Sequence, residues 1–68
     1  MNYFEFHMPN GNDELINLDA VRSITISPMP HNFNDVTFVY YNKDLVTITE
    51  VTSYGVRLLK EYVCVKHE

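Results

Sequence analysis

Residues 35–50 read DVTFVYYNKDLVTITE, and this stretch decides the fold. Valine, isoleucine, threonine, tyrosine and phenylalanine fill both of its arms, which is typical of β-strands. Between the arms stands Asn42-Lys43-Asp44, and Asn and Asp are the side chains that best tolerate the left-handed backbone of a turn. The stretch therefore predicts a β-hairpin with strands over residues 35–41 and 45–50.

The register of this hairpin follows from the side chains that share a face. A three-residue loop pairs Tyr41 with Leu45 and predicts a bulge at Asp44 or its neighbour. One face then carries the side chains expected in the core, namely Val36, Phe38, Tyr40, Val46 and Ile48. The other face mixes threonines with apolar groups, namely Thr37, Val39, Tyr41, Leu45, Thr47 and Thr49.

An earlier hairpin is predicted near the start of the chain. Residues 3–8 (YFEFHM) alternate between apolar and polar side chains, and so form a half-buried strand. Asn10-Gly11 follows, and an Asn-Gly pair between alternating runs is a strong hairpin signal because both residues accept positive φ. The second arm covers residues 13–18, with an odd loop that aligns Phe6 with Ile16 and Phe4 with Leu18.

A further strand and a loop link the two hairpins. Residues 21–27 (VRSITIS) alternate again, with Ile24 and Ile26 directed inward. Residues 28–34 contain two prolines and three asparagine or histidine residues, and therefore predict a loop. Met29 and Phe33 are unusually apolar for a connector. They either cap the edge of the core or are presented to a partner.

The apolar period changes from two to about 3.6 after residue 50, which predicts an amphipathic helix over residues 52–63. Its apolar stripe comprises Val51, Gly55, Leu58, Leu59, Tyr62 and Val63. Thr52 or Ser53 supplies the N-cap, and the helix is expected to lie across the face of Phe38 and Ile48. Residues 63–65 (VCV) either continue the helix or form a short β segment.

Together these elements predict one α+β domain over residues 1–68. It is a small antiparallel β-meander of about five strands with one C-terminal helix packed on one face. A domain of this length buries only about 60% of the surface that its unfolded chain exposes, so self-association is an expected source of stability.

Composition narrows the functional classes. The chain carries nine acidic and five basic residues, for a net charge of −4, and this argues against direct nucleic-acid binding, which depends on cationic side chains. No stretch approaches the roughly 20 apolar residues of a membrane span. The single Cys64 excludes an internal disulfide, and no signal peptide is recognisable, so a reducing cytoplasm is the expected location.

The residues that could carry chemistry are scattered. His7, His31, His67 and Cys64 show no metal-ligand spacing, and Cys64 is expected to be a buried small apolar group. Acidic residues cluster near the turns, where Asp is favoured for backbone reasons, and a chain this short has little room for a cleft that desolvates one acid. The sequence predicts no catalytic residue, no metal and no cofactor.

The face that carries Val39, Tyr41 and Leu45, with Phe33 nearby, is the candidate partner-binding surface. Tyrosine is enriched in protein interfaces because its ring contributes area and its hydroxyl tolerates water. Isolated exposed apolar residues are also ordinary on protein surfaces. If the face is used, the protein is a non-enzymatic accessory or adaptor module, expected to form a homodimer, and Tyr41→Asp should abolish association without unfolding the monomer.

The order of elements resembles that of another protein family. Four segments carry the resemblance, namely the strand ending in Pro9-Asn10-Gly11, the segment Leu15–Asp19, the hairpin of residues 36–48 and the ending Leu59–Tyr62. In this order they resemble the small swarming-motility or flagellar accessory proteins of bacteria. The connector of residues 28–34 is longer than the one in that family. The resemblance implies an adaptor that acts through another protein and has no catalytic residues.

An alternative function of another class uses charge. Asp13, Glu14 and Asp19 form an acidic edge that could meet the basic cleft of a nucleic-acid enzyme, as expected of a small phage- or plasmid-type regulator or inhibitor. Salt distinguishes the two functions, because an acidic contact weakens at 1 M NaCl, where the screening length is about 3 Å, and an apolar contact persists.

Overall fold

The computed structural model of the protein describes residues 2–8 and 10–66. The strands are β1 (Tyr3–His7), β2 (Asp13–Asn17), β3 (Val21–Pro28), β4 (Phe33–Tyr40) and β5 (Leu45–Thr52), and the helix is α1 (Ser53–Lys66). The predicted α+β class, with five antiparallel strands followed by one helix, is confirmed. The five strands are divided between two sheets, β1-β2 and β3-β4-β5.

Both hairpins turn through the same local chemistry. In the first, Met8 N donates to Asn12 O (2.8 Å), Gly11 has a φ of +91°, and Asn10 Oδ1 accepts from Asn12 N. In the second, Tyr40 N donates to Asp44 O (2.9 Å), Lys43 has a φ of +75°, and Asn42 Oδ1 accepts from Asp44 N. An asparagine that bonds the backbone two residues ahead therefore sets each turn.

These turns correct the predicted registers by two residues. Phe4, not Phe6, pairs with Ile16, and Leu45 pairs with Val39 instead of Tyr41. Each turn begins one residue earlier than predicted, so Tyr41 belongs to the turn and not to β4. A shift of two residues preserves the faces, because side chains alternate with a period of two.

A β-bulge at Glu50 lets the residues on both sides of it in β5 enter the core. The pairing of β4 with β5 shifts by one residue between Val36–Ile48 and Asn34–Val51, and Glu50 there has a φ of +58°. Ile48 and Val51 are both buried although they are three residues apart. Val51 is thus the buried end of a strand, and its predicted place on the helical stripe is wrong.

The connector between β3 and β4 is shorter than the predicted loop of residues 28–34. Pro28 ends β3 and Phe33 begins β4, and a short 3-10 turn over Pro30–Asn32 joins them, with φ of +65° at His31 and +64° at Asn32. Met29 is exposed and Phe33 is half-buried, and neither belongs to the hydrophobic core.

Helix α1 is capped by Thr52, whose Oγ1 accepts from Gly55 N at 3.1 Å, as predicted. Val56 and Leu59 are buried, and Val63 packs against the core, whereas the predicted stripe residue Leu58 is 38% exposed. The helix continues to Lys66, so residues 63–65 are helical. Cys64 is exposed, and its predicted burial is wrong because it lies one position beyond the apolar stripe.

One hydrophobic core joins both sheets and the helix. The ring centroids of Phe6 in β1 and Phe38 in β4 are 5.9 Å apart, and those of Phe4 and Tyr62 of α1 are 5.6 Å apart. The buried side chains are Phe6, Ile16, Val36, Phe38, Ile48, Val51, Val56 and Leu59. The helix covers β4 and β5 on the face predicted for it, which leaves the opposite face of the three-stranded sheet open to solvent.

Candidate functional site

The solvent side of the β3-β4-β5 sheet is called the outer face. Strand alternation and pairing place on it Ser23, Thr25 and Ser27 of β3, Phe33, Asp35, Thr37 and Val39 of β4, and Leu45, Thr47 and Thr49 of β5. Asp35 is the single charged residue in this set. Thr37 and Thr47 are opposite each other and their Oγ1 atoms lie 3.1 Å apart, so the middle of the face is a row of hydroxyl groups.

The candidate partner-binding residues do not form one cluster. Val39 and Leu45 are a cross-strand pair at one end of the outer face, and Leu45 is 66% exposed. Tyr41 is 70% exposed in the adjoining turn, where its N–H bonds Ala20 O. Phe33 begins β4 six residues before Val39, a separation of roughly 20 Å along the strand. The structure therefore joins Val39 to Leu45, sets Tyr41 beside them, and separates Phe33.

Tyr41 also borders an open depression of about 460 Å³ at the start of β3. Residues 21–24 of β3 line it together with Asn2, Leu18 and Val63. Arg22 is the charged side chain of this lining, and the lining contains no histidine, cysteine or carboxylate. The depression thus offers no pair of groups for acid–base or nucleophilic chemistry within the described residues.

A second concavity, of about 230 Å³, separates β1 from the end of β5 and the start of α1. We call it the β1 groove. Residues 4–8 of β1 line one side, and residues 50–52 of β5 with Tyr54, Gly55 and Leu58 line the other. Consecutive residues of β1 line it and β2 contributes none, so the groove runs along the edge of β1 that does not face β2.

His7 lies between two carboxylates on the exposed side of the β1-β2 hairpin. His7 Nδ1 is 2.9 Å from Asp13 Oδ1, and His7 Nε2 is 3.8 Å from Glu5 Oε1. The hydrogen bond with Asp13, then the charges of Asp13 and Glu5, raise the pKa of His7 above its ordinary 6.5.

Three potential metal ligands are therefore close together in Glu5, His7 and Asp13. Each carboxylate lies near a different ring nitrogen, so a protonated His7 donates a hydrogen bond to Asp13 and is attracted by the charge of Glu5. Sequence analysis missed this cluster, although Glu5 and His7 alternate outward and the Asn-Gly turn brings Asp13 opposite His7. His31 is exposed in the β3–β4 connector, and His67 lies outside the described residues.

The predicted acidic edge is partly occupied by internal contacts. Asp13 bonds His7, and the Asp19 carboxylate accepts from Asn2 N at 3.1 Å and from Asn2 Nδ2 at 2.6 Å. Asp19 lies in the 3-10 turn after β2, and Asp13 and Glu14 lie at the start of β2. Two of the three carboxylates therefore already have hydrogen-bond partners within the chain.

Comparisons with protein-family models, with curated proteins and with solved structures found no match. The resemblance to swarming-motility accessory proteins therefore stays a prediction from the order of elements. Within residues 2–8 and 10–66, no helix has the length and apolar character that crossing a membrane requires.

Proposed function

We propose that the protein is a non-enzymatic accessory module that binds protein through the outer face, and that a second copy of the chain is one occupant of this face. The observation that supports the proposal is the charge distribution. The chain has fourteen charged residues, nine acidic and five basic, yet Asp35 is the only one at a regularly paired position of the outer face, and Arg22 and Glu50 stand in the bulges of β3 and β5. Depletion of charge at the centre is a compositional signal of protein interfaces.

The same distribution favours a second copy as occupant. Two molecules that each carry a net charge of −4 repel one another over most of their surfaces. The repulsion is smallest where two outer faces meet, because each contributes hydroxyl and apolar groups there. Sheets that pack face to face lie about 10 Å apart, a spacing that threonine, valine and leucine side chains can fill.

The size of the outer face limits the strength of this association. Strands of about eight residues are roughly 26 Å long and three strands are roughly 14 Å wide, which gives a flat area near 370 Å². A standard interface buries about 800 Å² on each partner. We therefore expect a weak, concentration-dependent dimer, with Leu45 and Val39 supplying most of the apolar burial.

Sedimentation equilibrium of Leu45→Asp tests the proposal, with Leu15→Asp as the matched control. Leu45 and Leu15 are almost equally exposed, at 66% and 63%, but Leu15 lies in β2, away from the outer face. Leu45→Asp should weaken dimerisation about tenfold because a carboxylate must then be desolvated, and Leu15→Asp should leave it unchanged. Tyr41→Asp is a second variant. It should weaken dimerisation less than Leu45→Asp does, and the size of its effect shows how far the adjoining turn takes part in the interface.

Equal behaviour of the two leucine variants, or a wild type that stays monomeric at millimolar concentration, contradicts self-association through this face. Salt separates the alternative function from this one. Binding to a protein partner that persists at 1 M NaCl fits an apolar contact through the outer face. A steep loss of that binding fits a regulator that engages a basic cleft through Asp13, Glu14 and Asp19.

A further inference from the structure

The outer edge of β1 presents unused backbone hydrogen-bonding groups to the β1 groove. Met8 N donates to Asn12 O and Leu18 N donates to Asn2 O, so the even-numbered residues of this strand bond β2. Backbone groups alternate in direction along an antiparallel strand, and those of Tyr3, Glu5 and His7 therefore point away from β2, with Glu5 and His7 lining the groove itself. Among the described residues, no sheet pairing joins this edge to β5.

The wall that faces this edge is apolar and has space beside the helix. Val51 is buried at the end of β5, and Leu58 of α1 is partly exposed to the groove. Gly55 lies between them, and a Cβ there would come within 3.1 Å of Val51 Cγ1. Gly55 thus leaves the side of the groove next to Val51 without a side chain.

Charge defines the chemistry of the occupant. The charged residues that line the groove are Glu5, His7 and Glu50, and the first and last are acidic. Glu50 is held in the left-handed region, with a φ of +58°, by the bulge that ends regular pairing in β5. Backbone strain of this kind is concentrated at binding sites more often than elsewhere. Even when His7 is protonated, the two carboxylates leave the lining net acidic, which favours a partner with basic as well as apolar side chains.

We propose that the β1 groove binds an extended peptide segment of a partner protein, which adds as a third strand to the β1-β2 sheet. Apolar side chains at alternate positions of the segment pack against Val51, Gly55 and Leu58. Lysine or arginine side chains at the intervening positions lie beside Glu5. Recognition of an extended segment by an exposed strand edge obtains affinity from main-chain bonds and specificity from alternate side chains.

The test uses a capped seven-residue peptide of alternating lysine and valine, followed by amide hydrogen exchange in the full chain. Binding should slow exchange at Tyr3, Glu5 and His7, whose N–H groups point away from β2 along this edge. A peptide of alternating glutamate and valine has the same strand tendency and the opposite charge, and should bind about tenfold more weakly or not at all.

Two proline variants locate the edge. Glu5→Pro removes an N–H that does not bond β2, so the hairpin tolerates it as an edge proline, but strand addition is blocked. Leu15→Pro is the matched control, because Leu15 pairs with Glu5 and directs its N–H to the opposite edge of β2. Glu5→Pro should abolish peptide binding, and Leu15→Pro should preserve it.

Glu5→Lys gives a result that does not depend on the tolerance of proline. It should weaken binding of the lysine peptide about fivefold and strengthen binding of the glutamate peptide. Failure of both peptides to bind, or binding that leaves exchange at Tyr3, Glu5 and His7 unchanged, overturns the proposal.

Leu45→Asp separates this groove from the outer face, since it should weaken self-association without affecting peptide binding. Competition between the peptide and self-association would place a second copy in the groove, and would overturn both this proposal and the assignment of the dimer to the outer face.

Discussion

Replacement of Glu50 by glycine should stabilise the protein, although glycine normally weakens a strand. Glu50 has a φ of +58° within the bulge of β5. A side chain in the left-handed region costs roughly 1–2 kcal/mol, and glycine avoids this cost. Glycine also loses more conformational freedom on folding, which costs about 0.5–1 kcal/mol. The net expectation is a gain of about 0.5 kcal/mol in the free energy of unfolding.

The neighbouring residue gives the matched control. Thr49 is exposed like Glu50 and lies in the same strand, but it has no positive φ. Thr49→Gly should therefore destabilise the protein by about 1 kcal/mol. Glycine has a lower strand preference than threonine and more conformational freedom in the unfolded chain, and both effects disfavour the folded state. Two adjacent substitutions to the same residue are thus expected to change stability in opposite directions.

Thermal and urea unfolding followed by circular dichroism measure both variants. A change of 1 kcal/mol shifts Tm by about 4–8 °C in a domain of this size, so Thr49→Gly should lower Tm by that amount and Glu50→Gly should raise it by about 3 °C. If Glu50→Gly lowers Tm as much as Thr49→Gly does, the bulge is not strained and the reasoning is wrong. Glu50→Ala, which keeps a Cβ, should not produce the gain.

Two further predictions concern the histidine cluster and the core. Because Asp13 and Glu5 raise the pKa of folded His7 above 6.5, its stabilising contribution is fully present below about pH 6.5 and is lost as the pH rises through the folded pKa. An NMR titration of the His7 ring should show this raised pKa in the wild type and a value closer to 6.5 in Asp13→Asn, and an unchanged value would contradict the contact. Leu59→Ala should cost about 3 kcal/mol because Leu59 is 1% exposed beneath the sheet, whereas Leu58→Ala on the same helix should cost under about 1 kcal/mol in urea unfolding. Equal losses would mean that Leu58 faces the core.

Periodicity predicted the elements because it reports local conformational preference and the direction of each side chain. The alternation in residues 3–8, 21–27 and 35–50 identified the strands and their buried faces, and the change of period after residue 50 identified the helix. The asparagines before Gly11 and Lys43 identified both turns. Registers were wrong by two residues because composition locates a turn less accurately than side-chain bonds such as Asn42 Oδ1 to Asp44 N do.

The candidate site was predictable only in part. Val39 and Leu45 are joined across the outer face, as strand alternation requires. Tyr41 and Phe33 were predicted to lie on the same surface. Tyr41 instead begins the turn, and Phe33 lies at the far end of β4 from Val39. The unpaired edge of β1 was not predictable from the sequence, because it depends on which strands pair in the folded sheet.

By itself the sequence determined five strand segments, one helical segment and the side of most of them that must be buried, since these depend on residues close together in the chain. Tertiary structure alone decided that the strands divide into two sheets, that Glu50 forms a bulge which turns Val51 inward, and that Val56 instead of Leu58 faces the core. These outcomes depend on how distant segments fill one small interior, where burial of a few side chains outweighs the local preference of any single residue.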